Sequence, residues 1–416
     1  DGGTHSIMEI SRIFTGTDIL LPPFAGDPEA MERWAVIACD QFTSDAAYWN
    51  TVERFCDGYP STYDYILPEA FLGTPKESEK ACDVLKHMRD VPSSDLWRAA
   101  QRICGYIYVE RTLPDGRVRR GICGAVDLEE YDYSAGSKSK IRATEETVAS
   151  RIPPRCRMRR DATLELPHIM LFAQDRSGIF DTASELCGDL LYDFDLMQGG
   201  GHIRGRAIEG DAARRLSGVI ADTEHSCDIP YAVGDGNHSL AAAKAHYDAL
   251  RAHDAAAAET HPARYAMCEL VSIYDDAIEF EPIYRVLTGV DCDELLHELE
   301  SVSGGDGEQS FCVVSADGRR DMSFKKKTHP MTVGTLQDFI DRYISEHDGV
   351  SCDYIHGETD LISLASRPGT AGFLFGGFER GRLFDLICDG PLPRKTFSMG
   401  DAHSKRYYLE ARSIVK

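Results

Sequence analysis

VGDGNHSLAAAK, residues 233–244, follows the apolar run IPYAV and opens into the alanine-rich stretch LAAAKAHYDAL. The first run has the short apolar pattern of a buried strand, and the second has the composition of a helix. Gly234, Asp235, Gly236, Asn237 and His238 lie between them. Gly234 and Gly236 allow backbone dihedrals and close approaches that a Cβ would forbid. Asn237 is a good N-cap, which predicts a helix starting at His238 or Ser239. The first amides of such a helix lack intrahelical partners and carry the positive end of its dipole, so a phosphate or carboxylate binds well there. Asn237, His238 and Ser239 can donate to its oxygens. Asp235 would repel a bare phosphate. It fits if a Mg²⁺ lies between, or if it takes a proton from a nucleophile. The plain alternative is a tight turn, for which Asp, Gly and Asn are the best formers. The GxxxxGK[ST] spacing of a Walker A loop is absent.

Three other stretches are chemically dense. IRATEETVASRIPPR carries Arg142, Thr144, Glu145, Arg151 and Arg155. Either Thr144 caps a helix whose glutamates serve its dipole, or Arg142 and Arg155 hold an anion while Glu145 acts as a base. ELPHIM places His168 in an apolar run read as the strand LELPHIMLFA. PLPRKTFSMG sets Arg394, Lys395 and Thr396 after two prolines, where a cation and a hydroxyl can hold phosphate.

A chain of 416 residues is long for one core and suggests two or three domains. The expected division is 1–160, a mixed α+β region; 161–300, an α/β core holding the anion site; and 301–416, a further α/β region. The net charge of −23 opposes nucleic acid and anionic membranes. Within it, RIPPRCRMRR (151–160) packs five arginines into ten residues, a local cluster that suits a small anionic ligand or pairs with nearby acids. The 13 cysteines include no CxxC and the 14 histidines no HExxH, so a dedicated transition-metal site has no support from spacing. Scattered thiols and no apolar run of ~18 residues make the expected location cytoplasmic.

WAVIA (34–38) reads as a strand, and 45–56 and 76–90 as helices, the first capped by Ser44 or Asp45. Two β-rich runs around PDGR form a hairpin, with Tyr106 and Tyr108 alternating against Ile107 and Val109. Strands and helices alternate from 163 to 290, the pattern of a layered α/β fold. Beyond 310 come a second hairpin, two helices and the strands AGFLFGGF and RLFDLI.

Taken together, RWAVIACDQFTSDAAYW, IRATEETVASRIPPR, LPHIML, LYDFDLMQGGGHIRG, AVGDGNHSLAAAKAHY, DYIHG and PRKTF resemble the family catalogued as domain of unknown function 1015. DGNHSLAAAK is the most specific segment. Asn237 and Ser239 stand where many relatives carry histidine and arginine, which removes a cation from the anion site. The turn is similar to that of the superfamily of ParB partition proteins, sulfiredoxins and free-serine kinases. The resemblance implies a mixed α/β fold with a ParB/sulfiredoxin-like nucleotide-binding core. It further implies phosphoryl transfer to a small, serine-like alcohol, with a nucleotide (ATP or ADP) or pyrophosphate and Mg²⁺ as cofactor. On this reading Asp235, Glu145 and His238 are catalytic, with Asp235 also the metal ligand. Gly234, Gly236, Asn237, Ser239, Arg142, Thr144, Arg151, Arg155, His168, Lys395 and Thr396 bind the anion. The expected partner is a small anionic metabolite or nucleotide, with a homodimer left open. The alternatives are a nucleotide-binding regulator without turnover, and an acid–base hydrolase or isomerase using His168 and Asp235.

Overall fold

The Pro114–Asp115–Gly116 turn closes a long antiparallel hairpin, Gln101–Thr112 on Val118–Asp127. In the computed structural model, which describes residues 11–42, 45–134, 136–147, 149–304 and 307–416, this hairpin is central to a ten-stranded sheet. The strand order is Ile141–Ala143, Tyr231–Asp235, Met170–Ala173, Tyr265–Ser272, Val118–Asp127, Gln101–Thr112, His202–Glu209 and Leu190–Asp195; Phe14–Thr15 and Thr17–Leu21 pair onto the hairpin. Alternation along its strands feeds two cores, because successive side chains leave a sheet on opposite faces. Ile107, Val109 and Met267 enter one core with Trp34, Trp49, Val84 and Met88. Tyr106, Tyr108 and Cys268 enter the other with Leu216, Ile220, Leu240 and Tyr247. The sheet is thus covered on both faces, a layered α/β arrangement.

The chain divides into two units: the part up to Ile278 together with Asp401–Lys416, and Glu279–Gly400. The second unit has its own six-stranded sheet, with Glu281–Thr288 between Thr370–Phe375 and Ser351–His356. Its core contains Leu287, Leu295, Leu336, Ile340 and Phe373. These bounds differ from the expected divisions at 160 and 300. Strands from both sides of residue 160 are hydrogen-bonded into one sheet. The glycine-rich stretch near 304 lies inside the second unit, where Gly304 N–H donates to Ser323 O.

Three element assignments also change. Trp34 ends the helix Pro28–Trp34, and Val36 forms only an isolated bridge to Tyr408. LELPHIMLFA splits into Leu164–Glu165 and Met170–Ala173, which lie in different sheets; Pro167 has no N–H to continue a ladder. Leu383–Leu386 is a short helix rather than a strand. The helix at 46–56 is capped by Asp45, whose Oδ1 accepts from Tyr48 N–H.

The segment after residue 400 is built into the first unit by buried charge. Arg406, 3% exposed, donates to Glu269 Oε2 and Glu410 Oε2, each at 2.6 Å. Tyr192 Oη donates to Glu410 Oε1 at 2.6 Å. Glu269 lies across Gly121, where a Cβ would come within 2.2 Å of its Oε1. Arg412 reaches Glu165 at 2.9 Å, and Arg111 and Arg119 donate to the carbonyls of His403 and Ser404. Removing one partner from such a pair leaves an uncompensated buried charge. Arg406→Met is expected to lower unfolding stability by about 3–5 kcal/mol, read by urea titration. A loss below about 1 kcal/mol, as for an exposed pair, would contradict the reading.

Candidate functional site

The strand Tyr231–Asp235 lies between Ile141–Ala143, parallel to it, and Met170–Ala173, antiparallel. That order brings the IRATEET and LPHIM stretches to the two sides of the GDGNH turn. The ladder slips between Val233 and Asp235, so half-buried Gly234 sits at an irregularity. Gly236 then turns the chain at φ +81°, and a Cβ there would stand 3.0 Å from Ile169 Cα. A left-handed dihedral against neighbouring backbone is a position for glycine. The helix Asn237–His253 begins at once, so Gly236 is the N-cap and Asn237 the first helical residue. This corrects the expected cap at Asn237. No side chain caps this helix; Asp235 Oδ1 accepts from the N–H of Gly236 at 2.8 Å.

Asn237 instead clasps the neighbouring segment. Its Nδ2 donates to the main-chain O of Glu145 at 2.9 Å, and its Oδ1 is buried without a hydrogen-bond partner. Thr144 caps no helix. Its hydroxyl donates to Val233 O at 2.7 Å, since the parallel register sets Ala143 beside Val233. Both contacts fix the turn from the side. Glu145 is half-buried and holds the turn through its carbonyl; neither it nor half-buried His238 lines the adjacent cavity.

The alanines that follow have a steric role. Ala241 and Ala242 pack against Ile152, on a helix, Ile152–Asp161, opened by Pro153 and Pro154. Small residues let the two helices approach closely, and Cys156 Sγ donates to Ala242 O at 3.4 Å. The basic cluster is thereby sorted. Arg159 is spent on Glu165 at 2.7 Å, while Arg155 lines a cavity of about 210 Å³ beside the turn. Arg151 supplies the carbonyl to which Arg155 donates, at 3.0 Å. Arg142 is buried and donates through Nε to Ser139 O at 2.7 Å; it does not line the cavity.

Asp235, Ser239, Arg155 and His168 do line it. His168 lies in the loop after Leu164–Glu165 rather than in a strand, with its ring centroid 5.0 Å from that of Tyr408. Lys395 and Thr396 belong to the second unit, in a turn that Arg285 supports by donating to the carbonyls of Arg394 and Lys395. Lys395 has φ +55°, uncommon for a residue with a Cβ, and the Thr396 hydroxyl donates to Pro393 O at 2.6 Å.

Three site residues escaped the sequence reading. Lys405 Nζ stands 3.7 Å from Asp235 Oδ2, with both side chains largely buried. Tyr408 and Cys39 line the cavity. The available signal was KRYYLEAR (405–412), whose charges at Arg406, Glu410 and Arg412 interrupt an otherwise apolar run. Burial pushes the Cys39 thiol up to about 11; Lys405 opposes that shift and Asp235 adds to it. Among the described residues no group of three or more His, Cys, Asp or Glu side chains gathers to hold a metal, and Asp235 is the one acid lining the cavity. One carboxylate does not make a resident metal site, but it suffices for a Mg²⁺ that arrives coordinated by phosphates.

These features define a mixed α/β protein with a cavity at a strand–turn–helix. Residues 21–343 match the family model described as "Protein of unknown function (DUF1015)", and the chain belongs to that family. No curated protein matches it. Among solved structures it is similar to a free serine kinase in complex with AMP, at 10% identity and TM-score 0.39, covering 70% of this chain and 90% of that one. It is also similar to a conserved hypothetical protein from Pyrococcus furiosus, at 10% identity and TM-score 0.36, covering 70% and 94%. A third is SbnI with C-terminal truncation from Staphylococcus aureus, at 9% identity and TM-score 0.35, covering 69% and 82%. None of the described helices is long and apolar enough to cross a membrane.

A thiol held near 11 is almost wholly protonated at pH 8, and the thiolate is the reactive form. Cys39 is expected to alkylate at least about a hundredfold more slowly than an ordinary thiol at pH 8, with a rate still rising above pH 10. Peptide-resolved iodoacetamide labelling checks this. A rate at pH 8 matching that of exposed Cys82 would contradict it.

Proposed function

We propose that the cavity binds a small phosphorylated metabolite or nucleotide, and that the protein is a phosphotransferase acting on a small alcohol. The 234–240 turn serves as a phosphate cradle of the ParB/sulfiredoxin type. One observation carries this reading: a helix start with no side-chain cap adjoins a cavity that also presents Arg155, His168, Ser239 and Asp235. Phosphoryl transfer asks for donors on the phosphate oxygens and a positioned hydroxyl, with little covalent work by the protein. The first-turn amides, the Ser239 hydroxyl and the Arg155 guanidinium supply donors. Asp235 takes the acceptor's proton as its oxygen bonds to phosphorus and the bond to the leaving group breaks. Glu145 acts as a positioning residue for the turn through its carbonyl. ATP or ADP, or pyrophosphate, with Mg²⁺ is the proposed cofactor; the metal, when bound, neutralises phosphate charge beside Asp235.

The Asp235–Lys405 pair favours a second reading, binding without turnover, because the Lys405 ammonium stands beside the carboxylate oxygen that would receive the acceptor's proton. Incubation with ATP and Mg²⁺ separates the two: ADP or AMP accumulates under the first reading, and bound ATP is recovered intact under the second.

Asp235→Asn is expected to reduce turnover by about a hundredfold or more, the usual contribution of a general base, in a protein that still unfolds cooperatively. Full activity would remove Asp235 from the chemistry. Arg155→Ala is expected to weaken pyrophosphate binding by at least about tenfold, since hydrogen bonds to charged groups contribute ~1.5–3 kcal/mol. Calorimetry showing unchanged affinity would return Arg155 to a structural role.

A further inference from the structure

We infer that the ligand of this cavity is amphiphilic: an oxyanion, most simply a phosphate ester, carried on an apolar body. The inference rests on the anion-seat reading above and narrows its substrate class. The polar groups come from the GDGNH turn, the arginine-bearing helix and the His168 loop, whereas most of the remaining wall is hydrocarbon. Trp49 comes from the helix Ala46–Cys56, Val84 and Met88 from Glu77–Asp90, Leu67 and Leu72 from the loop before it, and Met158 from the arginine helix.

Two polar groups of that wall are engaged elsewhere. The Trp49 indole N–H donates to Phe42 O at 2.9 Å. The Tyr65 hydroxyl accepts from Trp97 Nε1 at 3.0 Å. Val84 and Met88 are almost fully buried, anchored in the same core as Trp49, so the apolar surface is fixed by packing. Binding sites of this make-up, mostly apolar with a few convergent polar groups, suit ligands of matching polarity. A small, fully polar alcohol would bury its own groups against hydrocarbon without partners, which is costly. A phosphate with an attached alkyl or aryl body would place its oxygens at the turn and remove both apolar surfaces from water.

The test is a titration of the full-length protein by calorimetry with inorganic pyrophosphate and with methyl, ethyl, propyl and butyl phosphate. Affinity is expected to rise about fourfold per methylene, equivalent to about 0.8 kcal/mol for each CH₂ buried. Leu72→Gln, at a half-buried position, is expected to flatten that dependence. Its fold is checked by thermal unfolding, and its anion seat by pyrophosphate. If pyrophosphate binds and the alkyl series shows one affinity throughout, the apolar-body inference is overturned while the seat stands. If neither pyrophosphate nor any alkyl phosphate binds, the seat fails, and the inference falls with it. A series that steepens with chain length but is untouched by Leu72→Gln places the body elsewhere and also overturns the inference.

Discussion

A guanidinium with almost no access to water organises the first unit. Arg406 is held by Glu269 on a central strand and by Glu410 on its own segment. Burying three charges asks for close geometry and satisfied hydrogen bonds. The contacts at 2.6 Å, the Tyr192 hydroxyl and the space above Gly121 supply the geometry, while Arg406 Nε and Glu269 Oε1 stay buried without a hydrogen-bond partner. The chain leaves the first unit near residue 278 and re-enters at 401. The charge cluster fixes where the returning segment lies, and so where its neighbours Lys405 and Tyr408 meet the cavity.

The cavity depends equally on strand order. With Tyr231–Asp235 set between Ile141–Ala143 and Met170–Ala173, stretches separated by tens of residues in sequence flank one turn. Thr144 and the carbonyl of Glu145 hold that turn from one side, and Ile169 packs against Gly236 from the other. The alanines of the following helix seat a second helix against it, and that helix carries Arg155. Backbone geometry, close packing and electrostatics thus converge on one place, as expected of a preorganised binding site.

Much of this was legible in sequence. The hairpin, the helix at 76–90 and the strand–turn–helix at 231–253 follow from period and turn chemistry, which are local properties. So do the glycines of the turn and the nearness of Arg155 and His168 to it once the strands are ordered. What was not legible depends on distant partners. Thr144 resembles a helix cap until its hydroxyl is found donating a hydrogen bond to Val233 O. Arg159 and Arg155 are alike in composition, and only the position of Glu165 separates a structural cation from one lining the cavity. Lys405 was invisible because its partner lies 170 positions away, across an inserted unit. The support of the PRKTF turn was hidden for the same reason: Arg285, which donates to its carbonyls, lies more than a hundred residues earlier.

The central claim is that an oxyanion sits at the first turn of the helix Asn237–His253. Crystals soaked in tungstate and examined by anomalous scattering test it most directly. The account predicts a peak within hydrogen-bonding distance of the Ser239 hydroxyl and the first-turn amides, with Arg155 turned toward it. Tungstate bound only at other surfaces, with the turn left to solvent, would contradict it.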